Sequence, residues 1–251
     1  MKKRETSKNS KELNMDIFYN EDCFDGESGA LAFYRGYTFD KLEAGFKHKI
    51  RTIQSRVATG KLLDVGCAKG FFVKMALGAG YDAYGIDFSE YAISKARDIV
   101  GNRAQKIDIE KTNPYPSESF DIITAWDFIE HLRDPETFLK KAGTMLKPKG
   151  YLFLTTVNYS SLIARLMRSN WRFIGPLHIS YEITPKILGG WLQSANFDRY
   201  QIGTSSLCLK PLPQRLKIIE YALTAVISAA TPILNLTNLG DIMLCIAQKR
   251  K

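Results

Sequence analysis

From Lys61 onward the chain alternates two hydrophobic patterns. Short apolar runs, "KLLDVG" at 61–66, "YDAYGID" at 81–87, "FDIITAWD" at 120–127 and "YLFLTTV" at 151–157, have the length and composition of buried strands. Between them, "FFVKMALGAG" at 71–80 and "SEYAISKARDIV" at 89–100 place apolar residues at helical spacing. The first helix closes on glycine, and Ser89 is positioned to cap the second. "AQKIDI" at 104–109 reads as a weak strand, "KPKG" at 147–150 as a turn, and Asp134 before Pro135 as the cap and first turn of another helix. This alternation predicts an α/β fold, a mainly parallel sheet covered by helices on both faces.

The flanks read differently. Residues 1–14 form a polar, basic tail, and 15–58 an N-terminal helical cap. In it, Leu42, Phe46, Ile50 and Ile53 recur on one helical face, with Thr38 or Asp40 as the cap. The remainder, 59–251, is the main domain, interrupted by lid-like or pocket-wall segments near 158–183 and 209–238. A helix at 184–195 and strands near 199–206 and 241–248 complete the sheet. The helix near 214–230 carries Leu216, Ile219, Leu223, Val226, Ile227 and Ala230 on one face. That face either caps a pocket or, flanked by Arg215 and Lys217, meets a lipid-linked acceptor or a membrane edge.

Composition narrows the class. With 45% hydrophobic and 24% charged residues in 251, the chain is an ordinary globular protein. A net charge of +9 favours anionic partners, whether nucleic acid, phospholipid or phosphorylated substrates, without choosing among them. Cys23, Cys67, Cys208 and Cys245 are scattered, which argues against zinc or a disulfide framework and fits a reducing compartment. No signal-peptide core is evident, and the most apolar stretch, 222–236, is broken by Pro232. The expected location is cytoplasmic, with membrane contact at most peripheral.

The chemistry concentrates in "KLLDVGCAKG". Glycine belongs where φ is positive or backbone must approach a ligand, and a strand–turn–helix presents free N–H groups at the sheet's C-terminal edge. Neither GxGxxG nor GxxxxGK[ST] is present. Asp87, about twenty residues after the turn, is placed to accept from two ribose hydroxyls. Asp108 is placed for an adenine amino group. Strands ending in Asp64, Asp87 and Asp108 suit a ligand with ribose, adenine and positive charge but no phosphate, such as S-adenosylmethionine.

"LLDVGCAKG", "YGIDFS" and "WDFIEHLRDP" resemble the signature segments of the class I S-adenosylmethionine-dependent methyltransferases. The likeness runs over roughly 60–200 and is nearest to the ubiquinone-pathway O-methyltransferases and the small methyltransferases of polysaccharide and natural-product pathways. The resemblance implies a Rossmann-like, seven-stranded sheet with its last strand antiparallel. It implies that Gly66, Cys67 and Gly70 face the methionine portion and that Asp64 acts on the ammonium group or through water. Asp87 would hold the ribose, Phe88 would pack on adenine, and Asp108 with Ile109 would frame its amino edge. Trp126 and Asp127 would flank the sulfonium, and Arg35 would meet the carboxylate. Lys69 departs from the small residue usual there and is expected to point outward.

Three histidines are present. His48 reads as solvent-facing, whereas His131 and His178 are candidate bases. No metal is expected, since Glu130 and His131 lack further ligands nearby. "NPYP" at 113–116 precedes the fourth strand, on the wrong side for an amino-methyltransferase motif, and reads as a turn. The expected activity is methyl transfer from S-adenosylmethionine, giving S-adenosylhomocysteine, to oxygen of a small-molecule or sugar/lipid-linked acceptor. Nucleic-acid methylation and a non-catalytic binding module are the alternatives.

Overall fold

The computed structural model describes residues 19–21, 24, 38–171, 173, 181–205, 225, 229, 232 and 236–250. A seven-stranded sheet runs through them in the order β3-β2-β1-β4-β5-β7-β6. Its strands are β1 (Lys61–Val65), β2 (Asp82–Asp87), β3 (Ala104–Lys106), β4 (Phe120–Trp126), β5 (Leu146–Val157), β6 (Phe197–Ser205) and β7 (Ile242–Lys249). The first five pair in parallel, while β7 is antiparallel to both β5 and β6. The chain therefore has the expected Rossmann-like seven-stranded architecture, with the reversed strand β7 next to last in the sheet.

Helices cover both faces because each buries one apolar side. On one face α1 (Phe39–Gln54) and α2 (Phe71–Gly78) bring Phe46, Ile50, Ile53, Phe72 and Val73 against Leu62, Ile122 and Phe153. On the other, α4 (Pro135–Met145) and α6 (Pro185–Ser194) pack Phe138, Leu139, Leu188 and Leu192 on Leu63, Ile123 and Leu154. Local capping fixes where these helices start. Ser89 accepts from the Ala92 amide at α3 (Glu90–Val100), Asp134 from Thr137 ahead of Pro135, and Thr184 from Ile187 ahead of Pro185. Thr38 stands at the N-cap of α1, but its side chain makes no cap bond.

Two readings of the sequence need revision. β3 stops at Lys106, so Asp108 lies in the following loop and not at a strand end. "KPKG" lies inside β5, where the register passes from Phe120↔Leu146 to Ile122↔Tyr151 and Lys149 takes a φ of 65°; the turn is a bulge within the strand. The front of the 158–183 segment packs onto the domain. After α5 (Leu162–Met167), Trp171 is fully buried among Val157, Ile163 and Ala164. The tail at 1–14, nearly all of 15–37 and 209–238, and the helical face near 214–230 fall outside the described residues, apart from isolated positions.

Candidate functional site

The turn after β1 is built on two glycines with different tasks. Gly66 has a φ of 76°, and the Gly66 and Cys67 amides both donate to the Ile86 carbonyl, at 2.9 and 3.1 Å. A Cβ on Gly66 would lie 2.4 Å from the Phe128 ring, so bare backbone is required by that ring as well as by the left-handed conformation. Gly70, at φ 74°, begins α2 against α3: its Cβ would meet Ala96 at 3.0 Å. Cys67 turns inward onto Gly85, where an added Cβ would lie 2.7 Å from Sγ.

The next strand end supplies the hinge of the site. The Asp87 carboxylate accepts from the Ala68 amide at 3.0 Å and the Ser89 amide at 2.9 Å, stapling the β1 turn to the start of α3. Two oxygens offer about four acceptor positions, so this carboxylate keeps capacity for a ligand. Ser89 Oγ also donates to the Tyr19 carbonyl at 2.6 Å, and the Tyr19 ring stands edge-on to Phe88 at 5.2 Å. Tyr19 thus sits at the tip of β2.

Around these turns lies a cleft that opens to solvent. It brings together Gly66, Asp87, Phe88, Asp108, Ile109, Trp126, Asp127 and His131. Tyr19, Phe24, Leu42, Phe46 and Lys49 close it from the N-terminal side. Asp64, Cys67 and Gly70 do not line it; they lie behind its wall. Arg35 and His178 lie outside the described residues. Tyr181 supports the cleft's Arg133 from outside, donating its hydroxyl to that residue's carbonyl at 2.5 Å.

Buried carboxylates dominate the electrostatics. Asp64 is 2% exposed and accepts from Thr124 Oγ1 at 2.7 Å. Burial pushes its pKa up to about 7, against the pull of the Thr124 bond and the Lys49 charge. Glu130 accepts from Thr156 Oγ1 at 2.9 Å, and burial, with the Asp127 charge, pushes it to about 8. Asp87 is raised by burial too, opposed by its backbone N–H bonds. Asp127 sits at φ 51°, its amide donating to the Thr155 carbonyl and hydroxyl and its Oδ1 accepting from Thr155 Oγ1 at 2.8 Å.

Two donors answer this acidic wall. Lys49 Nζ lies 4.5 Å over the Trp126 ring and 3.8 Å from Asp127 Oδ2. The Trp126 Nε1 is buried and, among the described residues, has no hydrogen-bond partner. Lys49 was not singled out from the sequence, because which face of α1 meets the strand ends depends on packing. Tyr19 and Lys141 were missed for the same reason. Lys141 Nζ, on α4, donates to the carbonyls of Ile109, Glu110 and Thr112 at 2.6, 2.9 and 3.2 Å, fixing the loop that carries Asp108. Lys69 does not point outward: it is 7% exposed, with Nζ 5.9 Å over the Phe24 ring. His131 faces the cleft, while Glu130 is buried against Thr156.

A family model described as a methyltransferase domain matches residues 34–202, well over half of the chain. The chain belongs to the class I S-adenosylmethionine-dependent methyltransferases. The ubiquinone biosynthesis O-methyltransferase of Thiobacillus denitrificans is 31% identical to this methyltransferase over 118 residues, 44% of this chain and 50% of that protein. The chain thus spans about half the length of the curated relatives it matches. A SAM-dependent methyltransferase structure from Archaeoglobus fulgidus superposes with a TM-score of 0.62 at 21% identity, covering 91% of this chain and 97% of that one. One from Thermotoga maritima gives 0.60 at 17% identity, covering 87% and 96%. These two likenesses speak to the fold.

The residues of this methyltransferase fit the donor the family uses. The carboxylates of Asp87, Asp108 and Asp127 on the cleft wall are compatible with a cationic ligand, apolar Ile86, Phe88 and Ile109 with a purine, and Lys49 with the Trp126 N–H with a carboxylate.

Proposed function

We propose that this methyltransferase moves the methyl group of S-adenosylmethionine to an oxygen of a small-molecule or sugar/lipid-linked acceptor. The observation that carries the reading is a cleft lined by Asp87, Asp108 and Asp127 and backed by the buried Asp64, with Lys49 and Arg133 the cations on its lining among the described residues. Such a cluster of carboxylates is relieved by a cationic ligand.

In this reading Asp87 accepts from the ribose hydroxyls, Phe88 and Ile109 enclose the purine, and Asp108 takes its amino edge. Asp64 acts on the ammonium group at one remove, because it lies behind the Gly66 turn. Gly66 presents backbone, and Cys67 and Gly70 shape that turn from behind. Lys49, with Arg35 as a second candidate, pairs with the carboxylate. Trp126 and Asp127 border the reacting centre. When bound, the donor supplies a methyl group already activated on a sulfonium. The protein is left to align the acceptor and exclude water, which the aromatic wall of Trp126, Phe128 and Tyr19 does here.

His131 is the candidate base for a hydroxyl acceptor, since it reaches the cleft and an imidazole titrates near neutrality. A product-detecting methylation assay over phenolic, sugar and lipid-linked acceptors tests the proposal. His131→Asn is expected to lower kcat roughly 100-fold or more with donor affinity unchanged. Turnover of none of these acceptors by the wild-type protein would reject the assignment.

A further inference from the structure

Beyond the C-terminal end of β5, two segments distant in sequence are tied into one knot. The Asn158 amide donates to the Asp241 carbonyl at 2.7 Å, and its side-chain amide to the carbonyls of Asn238 and Gly240 at 3.0 and 2.8 Å. The Leu162 amide donates to the Leu239 carbonyl at 3.0 Å. Ser161 Oγ and Trp171 Nε1 both donate to Asp241 Oδ1, at 2.5 and 3.2 Å. Asn158, Ser161, Trp171 and Asp241 are all fully buried. Buried and satisfied, such a network holds its segments rigidly.

What this rigid base displays is apolar. Among the described residues, the large hydrophobics left exposed are Leu166 at 68%, Met167 at 38% and Leu236 at 86%, all carried by these two segments. Arg165 and Arg168, exposed as well, flank the first two. Exposed leucines on a base this well ordered mark an interaction surface better than they mark loose packing. Because β5 runs parallel to β1, β2 and β4, the knot stands on the same edge of the sheet as the cleft.

Charge names the occupant. Arg165 and Arg168 stand exposed beside Leu166 and Met167, while the one acidic side chain within 158–171 and 236–241, Asp241, is fully buried and bonded to Ser161 and Trp171. We propose that this knot is a docking surface for an anionic phospholipid bilayer, with Leu166, Met167 and Leu236 entering the boundary between headgroups and acyl chains. Arg165 and Arg168 meet the lipid phosphates. A nucleic acid would satisfy the arginines and leave the leucines in water. A second copy related by two-fold symmetry would set like charge against like charge. The proposal deepens the functional reading by making the acceptor membrane-borne, and it rests on that reading only for this consequence.

Co-sedimentation with vesicles tests it, using pure phosphatidylcholine and a phosphatidylcholine–phosphatidylglycerol mixture. Wild-type protein is expected to bind the anionic vesicles at least tenfold better than the neutral ones, and to lose most of that preference in high salt. Leu166→Ser with Leu236→Ser, and separately Arg165→Gln with Arg168→Gln, are expected to weaken binding tenfold or more. Their affinity for S-adenosylhomocysteine should be unchanged, which shows that the fold is intact. Equal binding to both vesicles, or wild-type binding by both double variants, would overturn the proposal. So would self-association abolished by the serine pair, or RNA-oligonucleotide binding tighter than vesicle binding and indifferent to the leucines. Loss of homocysteine-product binding by the wild type would strike the functional reading alone.

Discussion

The strand ends of the first half of the chain and the loops of the second half meet the same edge of one sheet with opposite equipment. In the first half, β1 and β2 end at carboxylates raised by burial, Asp64 and Asp87, and β4 is followed by Asp127. In the second half, β5 and β7 are joined by a buried polar knot that lifts leucines and arginines into solvent. One region is built to receive a cation out of water, and the other to meet an anionic surface. The difference shows that a net charge of +9 says little by itself. Where those charges stand in the fold is what carries information.

The comparison breaks most visibly at Asp87. Asp87→Ala removes both staples of the β1 turn and the acceptors for two hydroxyls, so donor and product affinity should fall roughly 100-fold or more by calorimetry, with vesicle binding retained. Gly66→Ala comes next. Its Cβ would stand 2.4 Å from Phe128 in a left-handed conformation, which should cost about 1–3 kcal/mol in denaturant unfolding. Adding Phe128→Ala should return only the steric part, leaving the backbone strain. Lys49→Met should weaken donor and product binding by about tenfold and leave adenosine binding unaltered, since adenosine lacks the carboxylate. Lys141→Met should weaken adenosine and donor binding alike by a few-fold, with kcat at saturation preserved and Lys141→Arg partly restoring affinity. A lysine that only stabilises the fold would lower the melting temperature without moving these constants.

The acidic half should also respond to pH. Asp64 and Glu130 have folded pKa values of about 7 and 8, above the ordinary carboxylate range, so the folded protein holds protons that the unfolded chain has released. Their contribution to stability is therefore full in acid. It is lost as pH climbs from the ordinary carboxylate range through about 7 and 8. The melting temperature of the ligand-free protein should fall over that window, and Asp64→Asn should flatten the slope. Donor affinity should move the other way, tightening as the carboxylates ionise.

Much of this was legible in the sequence where local rules act alone. The strands β1, β2 and β4, the Ser89 and Asp134 caps and the Gly66 turn all depend on residues within a few positions of one another, and they appear close to where they were read. Asp87 was found because a fixed spacing links it to the turn. What stayed hidden depends on packing between distant elements. Lys49 enters the site through the rotation of α1, and Lys141 through the approach of α4 to the 109–112 loop. Lys69 is drawn inward beside Phe24. Gly70 and Cys67 look toward α3 and Gly85 where the motif suggested a ligand, because a bare backbone does not disclose which neighbour needs the room. The Asp241 knot, formed by residues about eighty positions apart, left no periodic trace.

Titration calorimetry at pH 7, in two buffers of different ionisation enthalpy, weighs the acidic cradle most directly. The structure predicts micromolar-range binding of both S-adenosylmethionine and S-adenosylhomocysteine. Protons should be released on binding, more of them for the sulfonium, and fewer in Asp64→Asn. Silence with both compounds, or binding accompanied by proton uptake, would contradict the picture of buried carboxylates held ready for a cation.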